Sequence, residues 1–210
     1  MSLSVTNDSI KPVVILGAGG HAKVVMDMLT LAEREILCFV VPEKKPEDYF
    51  YGYKILQENE FIDKYSPENI VLANGIGSLP KENQRWLVAE NMRKKGYCFM
   101  SIAHPSAVIA DDVKLSEGVQ IMAGVVIQSG SEIGRDTIIN TGALIDHDCK
   151  ISDKCHIAPG VVCSGGVQIG QRTHIGTGAS IIQNISIGED TIVAAGSVVY
   201  KDVSTGTTLI

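Results

Sequence analysis

Aromatic residues are scarce in this chain: one Trp, four Phe and six Tyr among 210 residues. Rings therefore cannot fill the core, and with 45% apolar residues and 21 glycines the interior must be narrow, regular and built from Ile, Val and Ala. Positive charge is also in short supply. The net charge is −6, and the densest basic stretch, Arg93-Lys94-Lys95, reads as a solvated helix end, so a nucleic-acid partner is excluded. No apolar run approaches 18 residues and the amino terminus carries no basic segment followed by an apolar one, which argues against membrane insertion and secretion and for a cytoplasmic protein. The opening Met1-Ser2-Leu3 reads as a cloning leader. The five cysteines are odd in number and lack metal-type spacing, as expected of reduced thiols with no bound metal.

What the sequence does hold is a repeat. Stepping by six from Ile109 one meets Leu115, Ile121, Ile127, Ile133, Ile139, Ile145, Ile151, Ile157, Cys163, Ile169, Ile175, Ile181, Ile187, Val193 and Val199 without an insertion. Four residues after most of these comes a second register of small or β-branched side chains, among them Val113, Val119, Val125, Thr137, Ala143, Cys149, Cys155, Val161, Thr173, Ala179 and Thr191. Turn residues gather between the registers, as at Gly118, Gly124, Gly130, Gly142, Gly160 and Asn184. A helix needs a period of 3.6 and a half-buried strand a period of 2, so a period of six predicts short strands joined by tight turns in a prism-shaped solenoid. Three hexapeptides per coil would stack residues 18 apart at roughly 4.8 Å. A β-sandwich does not keep such constant spacing.

The first hundred residues have another rhythm. Val13-Val14-Ile15-Leu16 reads as a buried strand that enters the turn Gly17-Ala18-Gly19-Gly20-His21-Ala22, after which Val24, Val25, Met28, Leu29 and Ala32 recur at helical spacing. Ile36 to Val41 and Ile70 to Ala73 read as two further strands and Glu82 to Lys95 as a helix. The shift into the repeat near His104-Pro105 divides the chain into an α/β domain, 1–103, and a β-solenoid, 104–210. The glycine turn fits a phosphate at a helix amino terminus. A dinucleotide, a nucleotide-sugar phosphate and a purely structural turn all remain open. Three strands make only one mononucleotide half of a doubly wound sheet, and Val40-Val41-Pro42 stands where a ribose-binding acid would be.

Residues 105 to 203 resemble the left-handed β-helix of hexapeptide acyltransferases, a resemblance that implies left-handed coiling and a homotrimer. With the amino-terminal half included, the chain is similar to bacterial sugar acyltransferases that N-acetylate nucleotide-linked 4-amino sugars, of the perosamine and bacillosamine-precursor type, and to sialic acid O-acetyltransferases. The matching stretches are Gly17-Ala18-Gly19-Gly20-His21-Ala22-Lys23-Val24-Val25, Ala103-His104-Pro105-Ser106-Ala107, Asn140-Thr141-Gly142-Ala143, Asp146-His147-Asp148-Cys149 and Cys155-His156-Ile157-Ala158-Pro159. The resemblance implies an acetyl-CoA-dependent enzyme of surface-glycan synthesis with His147 as general base and Asp148 as the carboxylate that orients it. Asn140 and His156 would line the same pocket, and Gly17, Gly19, Gly20 and His21 would touch the acceptor. Gly165, Ala195 and His156 would hold coenzyme A. Two departures stand out: Val41-Pro42-Glu43 replaces the family's acidic pair, and no closing Gly-x-Pro-Ala-Lys segment follows Thr207-Thr208-Leu209-Ile210.

The residues alone support part of this. Acyl transfer from a thioester needs a nucleophile freed of its proton, which suits a histidine titrating near neutrality. Eighteen residues beyond His147 stands Gly165, so the place stacked on His147 holds no side chain of its own. A histidine on a solenoid turn is otherwise simply solvated, and His174, one coil beyond His156, reads as structural. Cys149, Cys155 and Cys163 occupy inward registers as small fillers. N-acetylation, O-acetylation and a non-catalytic trimeric scaffold or nucleotide-sugar sensor are the competing functions.

Overall fold

The computed structural model describes residues 11–43 and 49–210; Met1-Ser2-Leu3 lies outside them. The chain divides into two compact units, Met1–Met100 and Ser101–Ile210.

The first unit is a mostly parallel sheet with helices. Along the chain run β1 (Val13–Leu16), α1 (Gly20–Leu31), β2 (Ile36–Val41), β3 (Tyr49–Phe50), β4 (Tyr53–Gln57), α2 (Glu58–Lys64), β5 (Val71–Asn74) and α3 (Gln84–Lys94). Their order in the sheet is β3-β4-β2-β1-β5. Sequence reading missed β3, β4 and α2, so the three expected strands become five among the described residues. The strand β4 joins β2 in parallel, a pairing that local pattern cannot reveal, and α2 opens with a reciprocal capping box between Gln57 and Glu60. Because β2 lies to one side of β1 and β5 to the other, the carboxyl end of β1 is the point where the strand order reverses, which is where open α/β sheets bind ligands.

The second unit is a parallel β-helix. Among the described residues it holds eighteen strands of two residues, from Ile102–Ala103 to Thr208–Leu209, stacked into three sheets. Partners are 18 residues apart, as in Val108↔Val126↔Leu144↔Val162, so the predicted coil length holds. The second residue of each strand points inward, and every one from Ile121 to Val199 is at most 2% exposed. The last coil departs from the rule: Thr208 pairs with Ile192, two residues short of the regular step. There the Asp202 carboxylate accepts the Ser186 N–H at 2.8 Å, the bond that a backbone carbonyl takes in earlier coils.

The second register is more than filler. Ser131 and Thr137 each accept a backbone N–H from the next coil and donate to a carbonyl on it. Cys149 and Cys155 donate in the same way to the carbonyls of Ser164 and Gly170. Burial pushes the Cys155 thiol up to about 12, so it is a structural group rather than a nucleophile.

The outward residues distinguish the three faces. One carries Lys114, Glu132, Lys150, Gln168 and Ser186, with Lys114 and Glu132 paired at 2.8 Å, and suits water. A second carries Val108, Val126, Leu144, Val162, Ser180 and Val198, with Val108, Leu144 and Val198 exposed to 63%, 42% and 61%. The third carries Gln120, Ile138, His156, His174 and Ile192. We refer to these as the charged, apolar and histidine faces.

Candidate active site

His147 lies on the corner between the apolar and charged faces, in the turn joining Leu144–Ile145 to Lys150–Ile151. Every turn that follows an inward residue from Leu115 to Val193 uses a left-handed residue three places after it. Here that residue is Asp148, with φ of 58°. Side chains with short polar ends tolerate this conformation, and it sets the Asp148 carboxylate beside the ring of its neighbour. His147 Nδ1 and Asp148 Oδ2 are 2.8 Å apart, and the His147 backbone N–H donates to Asp146 Oδ1 at 2.8 Å. The hydrogen bond to Asp148, with Asp146 close by, holds the imidazole pKa above the ordinary histidine value. With the Nδ1 proton directed at the carboxylate, the neutral ring keeps its lone pair on Nε2.

The glycines of adjoining coils make room for this pair. A Cβ at Gly165 would lie 2.5 Å from His147 Nε2 and 2.6 Å from Cε1, so the imidazole itself occupies the place where the sequence shows no side chain. Gly130, one coil earlier, is likewise covered by the Asp148 carboxylate. The dyad is seated between two glycines, with His147 and Asp148 still 63% and 72% exposed. The imidazole is oriented from one side and open on the other.

Asn140 and His156 meet elsewhere. Asn140 sits on the corner between the histidine and apolar faces, and its Nδ2 lies 3.2 Å from His156 Nε2. Ala195 is on the same corner, three coils further on, beside the open glycines Gly142, Gly160, Gly178 and Gly196, where an added Cβ would meet nothing within 4 Å. Within one chain the structure thus brings together His147, Asp148 and Gly165 on one corner, and Asn140 and His156 at the other, with Ala195 three coils away along that second corner. The apolar face lies between them.

In the first unit Gly17, Gly19, Gly20 and His21 are contiguous with the carboxyl end of β1. Gly19 caps α1 without a side-chain hydrogen bond and the first turn carries no acid, so this helix amino terminus suits an anion. A second glycine turn, Asn74-Gly75-Ile76-Gly77, meets the first, and sequence reading overlooked it. A Cβ on Gly75 would lie 2.7 Å from Ile15 Cγ2 and 2.8 Å from the Leu16 carbonyl oxygen, which admits only glycine. Asn74 Oδ1 accepts the Ile76 N–H, while the buried Arg85 donates to the carbonyls of Asn74 and Ile76 at 3.0 and 2.6 Å. The signal was present as a Gly-x-Gly directly after the third apolar run. Beside it a cavity of about 210 Å³ is lined by Leu16, Gly17, Val41, Pro42, Ile76 and Gln84.

The fold is that of a hexapeptide-type transferase, and comparison with known proteins agrees. Residues 12–92 match the PglD N-terminal domain, and residues 112–147 and 166–201 match the bacterial transferase hexapeptide repeats. No curated protein is significantly similar in sequence. Among solved structures, a variant of perosamine N-acetyltransferase from Caulobacter crescentus, in complex with CoA and GDP-perosamine, is 36% identical over 95% of this chain and 93% of its own, with a TM-score of 0.86. The acetyltransferase domain of PglB from Neisseria gonorrhoeae, in complex with acetyl coenzyme A, is 28% identical over 94% and 95%, with a TM-score of 0.86. WeeI from Acinetobacter baumannii is 28% identical over the same shares, with a TM-score of 0.84. The chain belongs to the bacterial sugar acyltransferase family that joins a PglD-type amino-terminal domain to a left-handed β-helix of hexapeptide repeats.

Proposed function

We propose that the protein is an acetyl-CoA-dependent N-acetyltransferase whose acceptor is the amino group of a nucleotide-linked amino sugar. The observation that carries this reading is the His147–Asp148 dyad seated over Gly165, on a chain 36% identical to an enzyme with that substrate type. His147 Nε2 takes the proton of the attacking amine as its nitrogen bonds to the acyl carbon. Asp148 holds the Nδ1 proton and balances the imidazolium, and the same proton then passes to the sulfur as the C–S bond breaks. Acetyl-coenzyme A supplies the acyl group as a thioester. The open glycine corner around Ala195, together with Gly165 on the opposite corner, fits its slender pantetheine arm; His156 would contact it there, and with Asn140 also the sugar. Gly17, Gly19, Gly20 and His21 would receive the nucleotide's phosphates at the amino terminus of α1.

The reading includes a homotrimer. An exposed aliphatic face on a charged protein invites a copy of itself, and a rotational arrangement closes into a ring. The two half-sites flank that face, so rotation about an axis parallel to that of the solenoid would set the His147 corner of one subunit against the Asn140 corner of the next. No helix among the described residues is long and apolar enough to cross a membrane, and we place the enzyme in the cytoplasm.

The test is to mix the protein with acetyl-CoA and GDP- and UDP-linked amino sugars and follow thiol release. An N-acetyl product resists hydroxylamine, whereas an O-acetyl ester is cleaved by it and would shift the reading to an O-acetyltransferase. Absence of thiol release with every acceptor would leave the scaffold reading.

A further inference from the structure

The cavity beside the two glycine turns is almost wholly apolar. Leu16, Val41, Pro42, Ile76, Val88 and Met92 wall it, and the polar side chains among the described residues that reach it are Gln84 and Glu58. Gln84, Val88 and Met92 recur every four residues, so one face of α3 runs along it. Gly17 belongs both to the cavity and to the first glycine turn, so the two adjoin. The walls offer a phosphate no cation, and the one charged group, Glu58, would repel it. A volume of about 210 Å³ equals that of about seven waters, which suits one heterocycle and not a whole nucleotide.

Glu58 is the first residue of α2. Lys95, just past the end of α3, donates to its Oε1 at 2.5 Å, which holds the carboxylate at the rim of the cavity. Exposed ion pairs add little to stability, so the pairing alone gives no reason for a carboxylate to border an apolar hollow. An ionised carboxylate only accepts hydrogen bonds, at about four lone-pair sites. The bond to Lys95 leaves sites on it for a ligand.

Bases differ in what they offer such a group. Guanine presents two adjacent donors, N1–H and N2–H₂, which a carboxylate can take as a bidentate pair. Uracil presents N3–H between two carbonyl oxygens, while adenine and cytosine place a ring lone pair beside the amino group. In each of these three, one carboxylate oxygen would face an acceptor. We infer that the cavity receives the nucleobase of the acceptor and that Glu58 is a specificity-determining residue that selects guanine, so that the amino sugar is GDP-linked. The inference rests on the proposed reading of the acceptor as a nucleotide-linked amino sugar. The phosphates then lie beside Gly17 at the amino terminus of α1. Gln84, whose amide both donates and accepts, suits any of the four bases and does not discriminate.

The test is calorimetric binding of GDP, UDP, ADP and CDP to the full-length protein, as wild type, Glu58→Gln and Lys95→Ala. Wild type is expected to bind GDP about tenfold or more tightly than each of the others, the effect of a charge-assisted hydrogen bond at a partly exposed group. Glu58→Gln should bring GDP and UDP to within about threefold of each other, because an amide donates as well as accepts. Lys95→Ala removes the ion pair and keeps the carboxylate, so the preference for GDP should persist. Equal affinities in wild type, a preference for another base, or binding of none of the four would overturn the inference. So would a preference that survives Glu58→Gln, or one lost equally in Lys95→Ala, which would trace it to the tie between α2 and α3. If GDP is selected through Glu58 but no GDP-linked amino sugar is acetylated, the proposed activity fails and the base assignment stands.

Discussion

The two corners that border the apolar face are built from the same six-residue repeat, yet they are opposite in chemistry. The His147 corner gathers Asp146 and Asp148 around one imidazole and raises its pKa, and its seat is cut by glycines that touch the dyad. At the Asn140 corner no acid is gathered: an amide and a ring nitrogen face each other, beside glycines where an added Cβ would meet nothing within 4 Å. In the proposed reaction one corner moves a proton and the other holds a ligand. The difference teaches that an invariant backbone can carry unlike half-sites, provided the turn residues alone are changed.

Four variants would break or sharpen this contrast. His147→Ala should lower kcat by roughly 10² to 10⁴, the range for a lost general base, while the oligomer measured by light scattering is unchanged; undiminished turnover would remove His147 from the mechanism. The double change Leu144→Glu with Val162→Glu puts two like charges on adjacent strands of the apolar face and should dissociate the proposed trimer in sedimentation. Activity should fall by about 10²-fold or more as the corners separate, because unpaired charges are costly to bury. A trimer that survives this change would place its interface elsewhere.

The third test is finer. Gly165→Ala inserts a Cβ where the imidazole now lies, and a displacement of about 1 Å at a catalytic group can cost up to about 10²-fold. Its melting temperature should stay near wild type, since the backbone at Gly165 is not left-handed; activity equal to wild type would show that the dyad tolerates movement. The smallest effect is expected from Asp148→Asn, about tenfold in kcat/KM. Because the Asp148 hydrogen bond raises the His147 pKa, its loss should move the acid limb of the pH profile to lower pH. A limb that stays in place would assign that limb to another group.

Legibility in the sequence followed the range of the interaction. The inward ladder from Ile109 to Val199 and the turns at Gly124, Gly142 and Asn184 were readable because a six-residue period fixes each side chain's direction locally. His147 and Asp148 were readable by resemblance and by the flanking acids. In the first unit β4 went unseen, because its only strong reason to be a strand is the parallel edge of β2, and the Asn74–Arg85 clamp at the second glycine turn depends on a helix eleven residues away.

The sequence by itself determined a solenoid of 18-residue coils, its interior, and the residues at each turn, since period and handed turn chemistry act within a few bonds. Only the tertiary structure decided that the His147 ring fills the vacancy at Gly165 and that Asn140 reaches His156 and not His147. Those outcomes depend on which coil a side chain leans towards, and that is settled by packing between residues far apart in the chain.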